Sequence, residues 1–164
     1  MNMGVRDDID TAKGILTDSI QEGDKKNSID AVLGGIIGLG FAYAGTCRED
    51  LLETLIPYIA DNNVTLKESV MAALACGLIF CGDANEDVAE AVTGALMERG
   101  DEEKNQTMAR FYSVALALLF LGSQEECETT IDVIDSCIEH ALKDYTTVLI
   151  EACAYVGTGN VLKI

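Results

Sequence analysis

The chain has 164 residues, 49% of them hydrophobic, which suits one packed domain and excludes a disordered segment. Its 28 acids and 11 bases leave a formal net charge of −17. That balance excludes nucleic acid and anionic membrane as partners, since both select basic surface, and it favours a partner with a basic face.

Taken in order, the chain repeats. A glycine that closes an apolar run, followed by an acid-rich amphipathic segment, recurs at Gly4, Gly45, Gly82, Gly122 and Gly157, at spacings of 41, 37, 40 and 35 residues. A partial unit spans 1–29, with an amphipathic segment at 8–21. The unit 30–66 opens with an apolar helix at 30–44. Its core, GGIIGLGFAYAGT at 34–46, is apolar on every side and predicts a helix buried all round. The second half, 48–60, carries the stripe Leu51, Leu52, Leu55, Ile56 and Ile59, and Pro57 is expected to bend it. Unit 67–105 pairs an apolar helix at 67–81 with an acidic one at 86–99, whose stripe is Val88, Ala91, Val92, Ala95 and Leu96. Unit 106–144 pairs 106–121 with 125–142, and a partial unit covers 145–164, with its helix at 145–156.

The turns between halves are legible as well. Thr46 with Glu49 and Ser123 with Glu126 fit the capping box, and Asp83 with Glu86 is a near version. The glycine just before each suits a left-handed helix stop. Polar links at 61–65 and 100–105 join one hairpin to the next. The predicted fold class is all-α: one helical-repeat domain of antiparallel hairpins 35–41 residues long, stacked as an α-α superhelix with an inner apolar and an outer acidic layer. Neither end shows a polar capping repeat, so the chain is expected to be an excised part of a longer toroid.

Six cysteines show no CxxC pair and there is a single histidine, His140, so no zinc-site spacing can be written. No metal and no cofactor are expected. The thiols read as free groups in a reducing compartment, cytoplasm and nucleus, and the N-terminus has no signal-peptide core. The longest apolar stretch, 31–45, falls short of the roughly 18–20 residues that span a bilayer. His140 has no partnered nucleophile, GTGN at 157–160 lacks the Lys-Ser/Thr ending of a phosphate loop, and the acid clusters lack EF-hand order. A non-enzyme is predicted. At about 100° per residue, Asp87, Glu90, Gly94 and Glu98 fall within roughly 80° of one another, opposite Val88, Val92 and Leu96. They form an acidic ridge that either complements a basic-rimmed apolar patch or is simply a solvated face.

Three stretches, GLGFAYAGTCREDLLETLIPYIAD (38–61), ALACGLIFCGDANEDV (73–88) and CAYVGTGNVLKI (153–164), resemble the proteasome/cyclosome repeat family. That family comprises the two largest non-ATPase subunits of the proteasome regulatory particle and the largest subunit of the anaphase-promoting complex. The resemblance implies a scaffold that touches other regulatory-particle subunits. It further implies outer helices that bind ubiquitin, polyubiquitin and the ubiquitin-like domains of shuttle receptors. Those helices map to 48–60, 86–99 and 125–139. On the middle one the family pattern of acids or amides falls on Asp87, Gly94 and Glu98, where Gly94 departs from it; Glu90 shares the ridge. Glu53, Asp132 and Asp135 on the flanking helices either extend it or only keep the stack soluble. The alternative is a purely architectural segment that organises neighbouring subunits without binding ubiquitin.

Overall fold

The structure, a computed structural model, describes residues 10–26, 28–61, 63–139 and 141–157. Its helices are α1 (Thr11–Lys26), α2 (Ile29–Ala42), α3 (Leu52–Ala60), α4 (Leu66–Ile79), α5 (Glu86–Glu98), the single turn α6 (Asp101–Lys104), α7 (Arg110–Leu119), α8 (Glu128–Cys137) and α9 (Leu142–Ala154). No strand occurs among the described residues. Helices α2, α4, α7 and α9 pack one on the next as an inner layer. The outer layer is α3, α5 and α8, and α1 lies against α2.

Small residues set the spacing of the inner layer. A Cβ on Gly40 would sit 2.8 Å from the Ala75 Cα, and one on Gly77 would sit 2.7 Å from the Ala115 carbonyl oxygen. Helix backbones therefore touch where α2 meets α4 and where α4 meets α7. The apolar side chains around these contacts, among them Leu39, Ile79, Leu116 and Leu119, are fully buried. Two hydroxyl pairs cross the same layer. Ser69 Oγ lies 2.6 Å from the Tyr112 hydroxyl, and Ser113 Oγ lies 2.6 Å from Thr146 Oγ1, so neither pair is buried without a partner.

Each turn repeats one backbone device. Gly45, Gly82, Gly122 and Gly157 take φ of +69, +76, +76 and +76°, the left-handed stop that glycine adopts without a Cβ penalty. Two residues later the chain turns left-handed again, at Cys47, Ala84 and Gln124. This double turn aims amides at the next inner helix. Gly45 N–H donates to Leu78 O (2.9 Å) and Cys47 N–H to Ile79 O (3.0 Å); Gly82 and Ala84 do the same to Leu118 O and Leu119 O, and Gly122 to Cys153 O. Carbonyls at the ends of α4, α7 and α9 thus accept from the preceding repeat.

Several expectations are corrected. Helix α2 is not buried all round: Val32, Ile36 and Leu39 face inward while Phe41 is 70% exposed, because α1 and α4 cover only part of its surface. Thr46 and Ser123 do not cap the following helices. Their hydroxyls instead donate backwards to Tyr43 O (2.7 Å) and Phe120 O (2.9 Å). Asp83 is likewise replaced, by Asn85, whose side chain accepts from the Val88 amide. Among the described residues the one complete capping box is Thr65 with Glu68 at the start of α4. Helix α3 runs through Pro57 after a 3-10 turn at Glu49–Leu51, and the helix expected over 125–142 is a 3-10 turn plus α8, ending at Cys137. Gly4, His140 and residues 158–160 lie outside the described residues.

Two polar clusters fix the repeats laterally. Arg99, 5% exposed, donates to Val64 O (3.0 Å) and Asp61 O (3.4 Å) and pairs with Glu103, holding the link ahead of α4 against the end of α5. At the first turn Arg48 pairs with Asp10 and with Asp50 (2.6 Å), and Lys13 reaches Asp50 (2.6 Å). The Arg48 guanidinium also lies over the Tyr43 ring at 4.9 Å, and the Tyr43 hydroxyl donates to Asp10. Burial and the Asp10 carboxylate push the Tyr43 phenol up to about 12, and Arg48 and Lys13 hold Asp50 well below the usual carboxylate range.

Candidate functional site

Outer helices α5 and α8 pack on the inner layer through Val88, Val92 and Leu96 and through Ile131 and Ile134, all buried. Turning those stripes inward leaves the next positions round each helix to meet across the gap between them. On α5 these are Ala89, Glu90, Thr93, Gly94 and Met97, and on α8 Thr129, Thr130 and Val133. They bound a groove of about 330 Å³. Its floor is apolar, and it exposes Met97 by 41% and Val133 by 39%. Towards the turn edge it continues past Ala89 and Thr129 into a second hollow of about 500 Å³, walled by Asp83, Glu86 and Glu126.

Acids outnumber bases around the groove, with Lys104 at its Met97 end, where the ammonium donates to Met97 O (3.2 Å). Neither α5 (EDVAEAVTGALME) nor α8 (ETTIDVIDSC) contains a lysine or arginine. Arg99 follows α5 directly, but its guanidinium is buried in the link to α4. The face therefore combines an exposed apolar strip with an acidic rim, the complement of an apolar patch ringed by basic groups.

The structure gathers only some of the expected residues here. Glu90 and Gly94 wall the groove. Asp87 and Glu98 are exposed but lie roughly a quarter-turn further round α5 and do not line it. Glu53 is exposed in the first turn of α3, the helix that packs on α5, and Asp132 is exposed on α8. Asp135 turns the other way: it accepts from Thr147 Oγ1 (3.3 Å) and lies 3.7 Å from Lys143 Nζ, so it serves the α8–α9 contact. Glu86, Thr93, Met97, Thr130 and Val133 were not singled out from sequence. The available signal was an apolar residue one step outside the buried stripe on each helix, Met97 after Leu96 and Val133 before Ile134.

No group of three His, Cys, Asp or Glu side chains converges as metal ligands would among the described residues. Nor is any described helix long and apolar enough to cross a membrane.

The proteasome/cyclosome repeat model matches residues 34–68, the segment from α2 to the first turn of α4. Full-length matches agree. The chain is 40% identical over its whole length to the 26S proteasome regulatory subunit rpn-1 of Neurospora crassa, of which it covers 18%. It is 35% identical, again over its whole length, to the 26S proteasome non-ATPase regulatory subunit 2 of Dictyostelium discoideum, covering 18% of that protein. The chain belongs to the proteasome/cyclosome repeat family. A third member, the 26S proteasome regulatory subunit rpn1 of Schizosaccharomyces pombe, is 42% identical over 75% of the chain and is covered by it to 14%. The chain thus spans less than a fifth of the length of these relatives. The inner-layer Gly40 and the turn Gly45 both lie within the matched repeat.

Proposed function

We propose that this chain is a docking segment of a proteasome regulatory-particle scaffold, non-enzymatic, that binds ubiquitin and ubiquitin-like domains of shuttle receptors through its outer helices. The supporting observation is the α5–α8 groove, whose apolar floor of Met97 and Val133 is bordered by Glu90 and opens into a hollow walled by Glu86 and Glu126, with no basic side chain on either helix. Ubiquitin-type folds present an apolar patch among lysines and arginines, and such a patch meets both features at once. Recruitment is the mechanism: a modest affinity at one face is multiplied when linked ubiquitins engage neighbouring sites. The same reading places the chain among other regulatory-particle subunits in cytoplasm and nucleus.

A second reading, architecture alone, draws support from the ladder of inter-repeat amides and from Asp87 and Glu98 lying outside the groove. Titrating the isotope-labelled chain with monoubiquitin and with a shuttle's ubiquitin-like domain separates the two. Docking gives shifts concentrated on α5 and α8. An intact spectrum that stays unmoved at millimolar ligand leaves the architectural reading.

A further inference from the structure

Resting on the docking reading, we propose that the groove is a socket for one aliphatic side chain of the partner, gripped between Met97 and Val133, and that Gly94 sets the size the socket accepts. The glycines inside the helices divide into two kinds. At Gly40 and Gly77 a Cβ would collide with neighbouring backbone, so packing explains the missing side chain. At Gly94, as at Gly14 and Gly34, a Cβ would meet nothing within 4 Å, and Gly94 sits in the middle of α5 with no left-handed φ. Neither packing nor backbone conformation calls for glycine at a position where it is the least favourable ordinary helix residue. What its bareness does provide is room: Gly94 is one wall of the groove, directly beside the exposed Met97.

The rest of the wall matches that use. Met97 is unbranched and adaptable, suited to closing on an apolar group of variable shape. Val133 faces it from α8. Thr93, 6% exposed, lines the same groove, and its hydroxyl has no hydrogen-bond partner among the described residues. The socket therefore carries one unused polar group at the edge of its apolar floor, where an incoming main-chain group would use it. Glu90 beside the socket, with Glu86 and Glu126 in the adjoining hollow, favours lysine or arginine next to the aliphatic side chain on that side, while Lys104 borders the Met97 end. Determinants thereby shift from the Asp87/Glu98 ridge to the groove one step round the helix.

The test compares Gly94→Leu, Gly94→Ala and the pair Asp87→Arg with Glu98→Arg in the 164-residue chain, with monoubiquitin and a ubiquitin-like domain as probes. Circular dichroism and melting serve as fold controls. Filling the socket with Gly94→Leu is expected to weaken binding at least tenfold, and Gly94→Ala about two- to threefold. In the wild type, filtered NOEs should join the Met97 and Val133 methyls to an aliphatic methyl of the partner. Wild-type affinity in Gly94→Leu, together with loss of binding in the arginine pair, overturns the socket and leaves docking standing. NOEs to the partner that bypass Met97 and Val133 overturn it equally. Absence of binding by the wild type removes the docking reading and the socket together.

Discussion

Matched glycine-to-alanine changes at Gly77 and Gly94 should move stability in opposite directions. At Gly94 the added methyl meets nothing within 4 Å, so only the helix and unfolded-chain terms remain, a gain of about 0.5–1 kcal/mol. At Gly77 the same gain is opposed by overlap with backbone. The new Cβ would lie 2.7 Å from Ala115 O and 3.0 Å from its Cα, where ordinary contact begins at 3.4 Å. Neither atom is the end of a flexible side chain, so α4 and α7 must separate. That loosens the Ser69–Tyr112 hydroxyl pair in the same interface. Overpacking against fixed atoms costs about 3 kcal/mol, the upper end of its usual range, leaving Gly77→Ala about 2 kcal/mol less stable than the parent. The two variants should then differ by about 3 kcal/mol, or roughly 6–12 °C in melting temperature for a chain of this size. Urea titration followed by helical circular dichroism measures both. Gly77→Ala as stable as Gly94→Ala would refute the idea that the inner layer is spaced by backbone contact.

Two further outcomes are expected. Asp50 is held below its ordinary 3.8 by Arg48 and Lys13, so its contribution is complete above that value and is lost as pH falls through the folded-state pKa. Asp50→Asn should cost about 0.5–1 kcal/mol near neutrality, a small figure because the pair is partly exposed, and in denaturation curves the gap from wild type should begin to narrow below about pH 4 and close only as the pH falls through the folded-state pKa. Burial pushes the Cys76 thiol up to about 12, so a thiol reagent at mildly alkaline pH should label the exposed Cys137 rapidly and Cys76 only on unfolding, as peptide mapping would show.

The all-α class and the left-handed glycines were readable because helical periodicity and a recurring glycine are local signals. The groove was half readable. Glu90 and Gly94 were placed on the right side of α5, yet Met97 and Val133 were passed over, because an apolar residue among acids reads as the ragged edge of a stripe until the neighbouring helix is known. The cap assignments failed for a different reason. Thr46 and Ser123 bond backward beside the left-handed Cys47 and Gln124, and neither residue type announces that conformation. Similarly, the exposed side of α2 depends on how many helices surround it, which no single stretch encodes.

The double left-handed turn also fixes how the stack can deform. At the turn edge, neighbouring inner helices are stitched by amide bonds and meet backbone to backbone at Gly40 and Gly77. The opposite edge, where α2 and α4 begin, opens into a hollow of about 860 Å³ bordered by Ser28, Thr65 and Gln106. Repeats held this way behave like pages bound along one spine. Bending that widens the α2–α4 hollow is softer than bending between α4 and α7, whose starts are fastened by the Ser69–Tyr112 pair, while shear or separation at the spine must break several hydrogen bonds at once, so curvature varies about a single axis without the repeats slipping out of register.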